Sequence, residues 1–215
     1  MKLPVYRVRR PKKPLPPLKG LTADNFAGSE RVSLNETVTG QPALLRSEAG
    51  LLWDSRGLYA FFSFEDPQPF ATLRKHDAPL YTEDVAELFI DPLGTGNAYF
   101  ELEVNPLNAG FDAFIVNSIH KPGRRGKFFQ GLLSWNPKSF RHKVVKEKDG
   151  WSVFLSIGFE DLFLAPPGAP RPGDRWRGNM FRIDVANKKQ SYFAWSPTHV
   201  VDFHNSKRFG SWVFI

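Results

Sequence analysis

Two stretches of alternating hydrophobic and polar residues dominate the chain. In Tyr99-Phe-Glu-Leu-Glu-Val-Asn105, Phe100, Leu102 and Val104 fall on one side of an extended strand, and Tyr99, Glu101, Glu103 and Asn105 on the other. Just upstream, Tyr81-Thr-Glu-Asp-Val-Ala-Glu-Leu-Phe-Ile-Asp91 puts Ala86, Leu88 and Ile90 on one face and Glu87, between Val85 and Phe89, on the opposite one. A Gly94-Thr-Gly96 turn links the two. The pattern predicts adjacent strands that gather carboxylates and an amide on one sheet surface, with Tyr81 at its edge. A merely solvated face would also carry Lys, Thr or Arg; here nearly every polar atom is an acceptor.

Shorter pieces of the same kind follow along the chain. Leu51-Leu-Trp-Asp-Ser-Arg-Gly57 reads as a strand and turn leading into a strand at 58–64, which Asp66-Pro-Gln-Pro69 ends. Further strands are predicted at 111–118, 141–146, 151–157, 179–185, 192–195 and 211–214. Glu147-Lys-Asp-Gly150 marks a hairpin. Residues 159–163 suit a single helical turn, and Lys121-Pro-Gly-Arg-Arg-Gly126 a mobile basic loop. Loops at 66–80, 119–131 and 164–177 are the places where binding residues tend to sit. About ten short strands with frequent turn residues and little helical periodicity predict an all-β fold. The expectation is a single β-sandwich, immunoglobulin-like or jelly-roll, with no helix beyond two turns.

Composition agrees with this. Of 215 residues, 41% are apolar and 20 are Phe, enough for a large core built from strand-favouring side chains. No apolar run reaches the length of a membrane span. The N-terminus has no apolar signal-like core and the chain has no Cys; on those grounds a cytoplasmic location is expected. The net charge of +7 has one source. Residues 1–20 hold Lys2, Arg7, Arg9, Arg10, Lys12, Lys13 and Lys19 without an acid, and the remaining bases balance the 22 acids. The division expected is a basic Pro-rich strap at 1–20 and one domain at 21–215. The strap could hold nucleic acid, but alternation of Tyr6 and Val8 against Val5, Arg7 and Arg9 favours a structural strand, so nucleic acid is disfavoured as a partner.

Carboxylates and an amide on one face suit a hydroxyl-rich ligand: a carboxylate accepts from two adjacent hydroxyls, and Asn both donates and accepts. Flat aromatics suit the C–H face of a sugar. Tyr81 and Trp195, the latter in Tyr192-Phe-Ala-Trp-Ser-Pro-Thr198, are the candidates. Trp53, Trp151 and Trp212 sit in apolar strand patterns and read as core. Arg182 alternates against Phe181 and Ile183 and shares a side with Asp184; it is expected either to neutralise Glu87 or Glu103 or to touch ligand.

The motif Tyr81-x-x-Asp84-x-x-Glu87-Leu-Phe-Ile-Asp91 resembles the strand signature of family 9 carbohydrate-binding modules, within the wider DOMON-like superfamily. Segments 58–64, 99–105, 149–156, 179–184 and 194–198 resemble that family's other strands, and His204 to Phe214 its closing strand, all in order. The resemblance implies two aromatics sandwiching a terminal sugar, with Tyr81 and Trp195 in those roles. It puts Glu87 where a sugar-binding carboxylate lies, and Glu103 and Asn105 where a polar pair lies. Position 103 is acidic where the modules can carry a base. The ligand-binding set expected is therefore Tyr81, Glu87, Glu103, Asn105 and Trp195, with Arg182 and His199 as secondary contacts. No catalytic residue, no metal ligand and no cofactor is assigned, though the resemblance admits a structural calcium. The partner expected is a mono- or oligosaccharide, with no membrane.

Three other readings come from the same residues. Two carboxylates on neighbouring strands could serve a glycosidase. Met180, with a His, could hold haem in a DOMON-like electron-transfer domain. His199 and His204, with Asp202 between, could hold a transition metal, although capping and packing are commoner uses. No H-E-x-x-H, nucleophile elbow or P-loop is present.

Overall fold

The computed structural model describes residues 2–117 and 128–215. Its strands are β1 (Val5–Val8), β2 (Val32–Ser33), β3 (Asn35–Glu36), β4 (Ser47–Trp53), β5 (Gly57–Glu65), β6 (Val85–Asp91), β7 (Ala98–Val104), β8 (Gly110–Asn117), β9 (Phe129–Leu132), β10 (Arg141–Glu147), β11 (Gly150–Gly158), β12 (Arg175–Ala186), β13 (Lys189–Ala194) and β14 (Gly210–Phe214). The only helical elements among the described residues are short 3-10 turns, one of them at Phe159–Asp161 where a single turn is expected. The basic loop at 121–126 lies outside the described residues.

Two sheets pack face to face. The larger runs β1-β14-β12-β6-β7-β8-β9, with β13 and β3 continuing beside β12. The smaller runs β10-β11-β5-β4-β2. Pairing is antiparallel except between β1 and β14. The long β12 pairs with β14 through Arg175–Gly178 and with β13 through Phe181–Ala186. The alternation of the sequence becomes the layering of the sandwich. Ala86, Leu88, Ile90, Phe100, Leu102 and Val104 of the larger sheet meet Leu58, Ala60, Phe62, Phe64, Trp151, Val153 and Leu155 of the smaller.

Both sheets are also covered on their outer faces. On the smaller sheet Leu15, Leu21 and Phe26 lie over Leu52, Phe61 and Phe154. On the larger sheet Leu80, Phe203 and Phe209 cover Val85, Phe89, Tyr99 and Phe181. The basic leader is sewn in: Tyr6 and Val8 are buried, Arg10 donates its N–H to the Ile215 carbonyl, and its guanidinium stacks over Trp53 at 4.0 Å. No helix among the described residues is long and apolar enough to cross a membrane.

The strand expected from Tyr81 begins only at Val85. Residues Leu80–Thr82 form a 3-10 turn, and the next two side chains bind backbone instead of continuing the alternation. Glu83 accepts from the Thr72 and Leu73 amides at 2.7 and 3.1 Å, and Asp84 from those of Phe70 and Val185, both at 2.6 Å. Together they lash the 70–80 segment to the head of β6 and to β12.

Candidate functional site on the outer face of the larger sheet

The register places Glu87 of β6 directly opposite Glu103 of β7 and Phe181 of β12, while Phe89 faces Glu101. Glu87, Glu101 and Glu103 therefore share the outer face, and one oxygen from each lies within 4.8 Å of the others. All three are buried, at 2, 6 and 1% exposure. The acids flanking Glu87 in the signature are already spent. Asp84 holds loop amides, as above, and Asp91 accepts from Gly94 and Gly96 at 2.9 and 2.7 Å to close the hairpin turn. By contrast, Glu87 Oε1 and Glu103 Oε2 are buried without a hydrogen-bond partner.

Burial is the main cause of the trio's electrostatics; repulsion adds to it at Glu87 and Glu103, while a hydrogen bond with Glu103 lowers Glu101. Burial pushes Glu101 up to about 8, and drives Glu87 and Glu103 well above the usual carboxylate range, Glu103 being raised further by Glu87 and Glu101. At neutral pH Glu101 holds its proton, so this face presents an O–H donor as well as acceptors. A stability effect follows. Folded Glu101 binds a proton more tightly than the unfolded chain, whose carboxyl has the ordinary value of 4.5. Its contribution is fully present below pH 4.5 and is lost as pH rises through about 8. The melting temperature should fall across that window, and Glu101→Gln should flatten the fall. An unchanged slope would show that Glu101 does not carry it. Asp84, pushed up to about 7 chiefly by burial, adds a slope of the same sign that this substitution leaves in place.

The rest of the expected set divides. Tyr81 is 55% exposed in the turn before β6, its carbonyl accepting from Gln190 Nε2 at 2.7 Å. Asn105 is on the right face but fully buried, and its amide is used structurally. Oδ1 accepts from the Leu107 and Ala109 amides, and Nδ2 donates to the Leu73 carbonyl at 2.8 Å.

Three expectations need correction. Trp195 does not stand on this surface. It is 8% exposed in the inter-sheet core, edge-on to Tyr6 at 5.9 Å, because β13 ends at Ala194 and the chain turns inward. Arg182 does not reach Glu87 or Glu103, because alternation puts it on the inner face. There its guanidinium donates to Ser47 Oγ, the Glu65 carbonyl, Asp66 and Asp184. His199 has φ 60°; its Nδ1 contacts the Val38 carbonyl at 2.9 Å and its Nε2 lies 3.1 Å from Arg208, so its ring binds the loop rather than the trio. Met180, the residue of the haem reading, is wholly buried between the sheets.

The sequence reading missed the cover. The 196–209 segment folds over the outer face, stacking Phe203 on Phe181 at 4.0 Å with 13° between the planes. Tyr99 Oη lies 2.9 Å from His204 Nδ1, Asn117 donates to the His204 carbonyl, and His204 Nε2 is 4.0 Å from Glu101. Glu101 was legible in the alternation; Phe203 and His204 come from an irregular segment and carry no periodic signal.

Comparison with known proteins bears on this face. A curated relative, an extracellular protein of Arthroderma benhamiae, is 25% identical over 199 residues, covering 86% of this chain and 85% of its own length. That relative overturns the expectation of a cytoplasmic location: lack of cysteine excludes disulfides but fixes no compartment, and a core of this size needs none. Among solved structures, a family 9 carbohydrate-binding module from Caldicellulosiruptor kristjanssonii in complex with glucose matches with a TM-score of 0.69 at 14% identity, covering 99% of this chain and 96% of that one. A structure of such a module from the same organism with cellotriose matches with a TM-score of 0.69 at 15% identity, covering 98% and 93%. The model of the carbohydrate family 9 binding domain-like family matches residues 20–215, and the chain belongs to that family.

Proposed function

We propose that the chain is a non-catalytic carbohydrate-binding protein whose sugar site is the outer face of the larger sheet. The observation that carries this is the pair of buried carboxyl oxygens, Glu87 Oε1 and Glu103 Oε2, that have no hydrogen-bond partner. Buried polar atoms are nearly always satisfied. Here two face each other across paired strands, in a family whose modules include proteins solved with glucose and cellotriose. Sugar hydroxyls supply the missing donors, and the protonated Glu101 carboxyl can donate in return. Tyr81, exposed at the head of β6, supplies the stacking surface. Phe181, on which Phe203 now stacks, takes the second aromatic position once that cover moves. Because the trio is covered, the sugar must displace part of that cover, which lowers affinity by the cost of the displacement.

A glycosidase suits this geometry less well. Paired catalytic carboxyls stand about 5–9.5 Å apart with room for sugar or water between them. These three crowd within 4.8 Å and are buried.

Calorimetric titration with glucose and cellotriose tests the proposal. Tyr81→Ala and Glu103→Gln should each weaken binding at least tenfold while leaving the circular dichroism spectrum unchanged. Wild-type affinity in both variants would overturn the site, and no heat with any sugar would overturn the function.

A further inference from the structure

We propose that His76, Asp77, Asp112 and His142 form a zinc site that pins the two sheets together at the β8–β10 edge, apart from the sugar face. Asp112 lies opposite Leu102 in the β7–β8 register, so it points between the sheets, and its side chain is 2% exposed. No Lys or Arg among the described residues pairs with it. His76 Nε2 lies 3.0 Å from Asp112 Oδ1 and 3.4 Å from Asp77 Oδ1, so two carboxylates converge on one ring nitrogen. A single N–H serves one acceptor well. Ligand atoms about 2.0–2.1 Å from a tetrahedral zinc are instead about 3.3 Å apart, close to the two distances from His76 Nε2 to the carboxylates.

Two further observations point to a ligand. Asp112 Oδ2 is buried with no hydrogen-bond partner, an acceptor the fold leaves open. From the smaller sheet, His142 Nδ1 lies 3.0 Å from Asn108 Oδ1. An amide oxygen only accepts, so Nδ1 carries the proton and Nε2 presents its lone pair, as a metal-ligating imidazole does when its other nitrogen donates to an oxygen. That Nε2 packs against Gly110, two residues before Asp112 on the same face. A Cβ on Gly110 would come within 2.6 Å of it, so glycine there leaves room for the ring. Ligand atoms of His76, Asp77 and Asp112 lie within 4.8 Å of one another; His142 stands outside that trio, and its ring must turn toward them to complete the site.

Two imidazole nitrogens and two carboxylates suit zinc better than calcium, which takes 6–8 oxygens. The doubly charged ion balances both carboxylates. It would also anchor the 70–80 segment, which leads directly to Tyr81.

Zinc chloride titrated calorimetrically into the untagged, EDTA-treated full chain tests this. The expected result is one equivalent bound, with a higher melting temperature. His76→Ala, in an exposed loop, and the isosteric Asp112→Asn should each weaken binding at least tenfold; His142→Ala should also weaken it. Failure to bind zinc, binding that both His76→Ala and Asp112→Asn leave intact, or a preference for calcium over zinc would overturn the proposal. Zinc binding is read without sugar, so a chain that binds zinc but no sugar would keep this site and lose only the carbohydrate function.

Discussion

Replacing Arg182 by methionine is expected to destabilise the protein by about 3–5 kcal/mol, because it strips the cation from a buried charge cluster. Arg182 is 1% exposed on the inner face of β12. It reaches across the sandwich to Ser47 Oγ at 2.8 Å and the Glu65 carbonyl at 3.2 Å, and binds Asp66 and Asp184 at 3.1 and 2.5 Å. Its guanidinium also lies 4.8 Å from the Phe64 ring centre. Without it, oxygens of Asp66, Asp84 and Asp184 remain within 4.8 Å of one another with no compensating cation. Asp184, raised by burial and held down by the Arg182 charge and hydrogen bond, would rise further. For a chain of this size the loss corresponds to a fall of roughly 6–20 °C in melting temperature. Arg182→Lys should recover only part, since an ammonium cannot span four acceptors as a planar fork does. A methionine variant that melts like the wild type would show that the acids hold themselves neutral and need no cation.

Trp195→Ala is expected to cost a similar amount, about 3–5 kcal/mol, as a cavity in the core. The ring packs against Tyr6 of the leader strand and against Gly210 of β14, where a Cβ would come within 2.3 Å of it. The substitution therefore loosens the edge where β1 joins β14. Chemical denaturation should show a lower midpoint, while sugar affinity, measured where the variant is still folded, stays within about twofold of wild type. A selective loss of sugar binding with stability unchanged would return Trp195 to the ligand platform.

These two residues also show where sequence reasoning reaches its limit. Period-two alternation assigned Glu87, Glu101, Glu103 and Asn105 to one face and Phe100, Leu102 and Val104 to the other, and the sheet keeps both sets apart. The same rule placed Arg182 beside Asp184, but pairing it with Glu87 required a charge to pass through the sheet. Its actual partners, Ser47 and Asp66, come from the opposite sheet and are far away in the chain. Trp195 lies just past a strand end, where alternation stops informing direction. Asn105 was legible as a residue of the face, but its use in closing the β7–β8 turn depends on amides at 107 and 109 that carry no composition signal. Strands β2 and β3 escaped notice because two residues are too few to show a period, and β9 because Phe129-Gln-Gly-Leu132 runs on from a stretch that reads as loop. The family signature singled out Tyr81 and Glu87, the candidates on which the proposed site is built. The cover formed by Phe203 and His204, which brings His204 Nε2 to 4.0 Å from Glu101, is a tertiary feature.

The most direct test of the proposed sugar site is a crystal structure of the chain soaked with glucose or cellotriose. The expected result is a sugar ring against Tyr81, with hydroxyls within hydrogen-bond distance of Glu87 and Glu103 and the Phe203–His204 cover displaced. A sugar bound elsewhere, such as the cleft of about 710 Å³ lined by Phe70, Asp184 and Gln190, with the trio still covered, would contradict it.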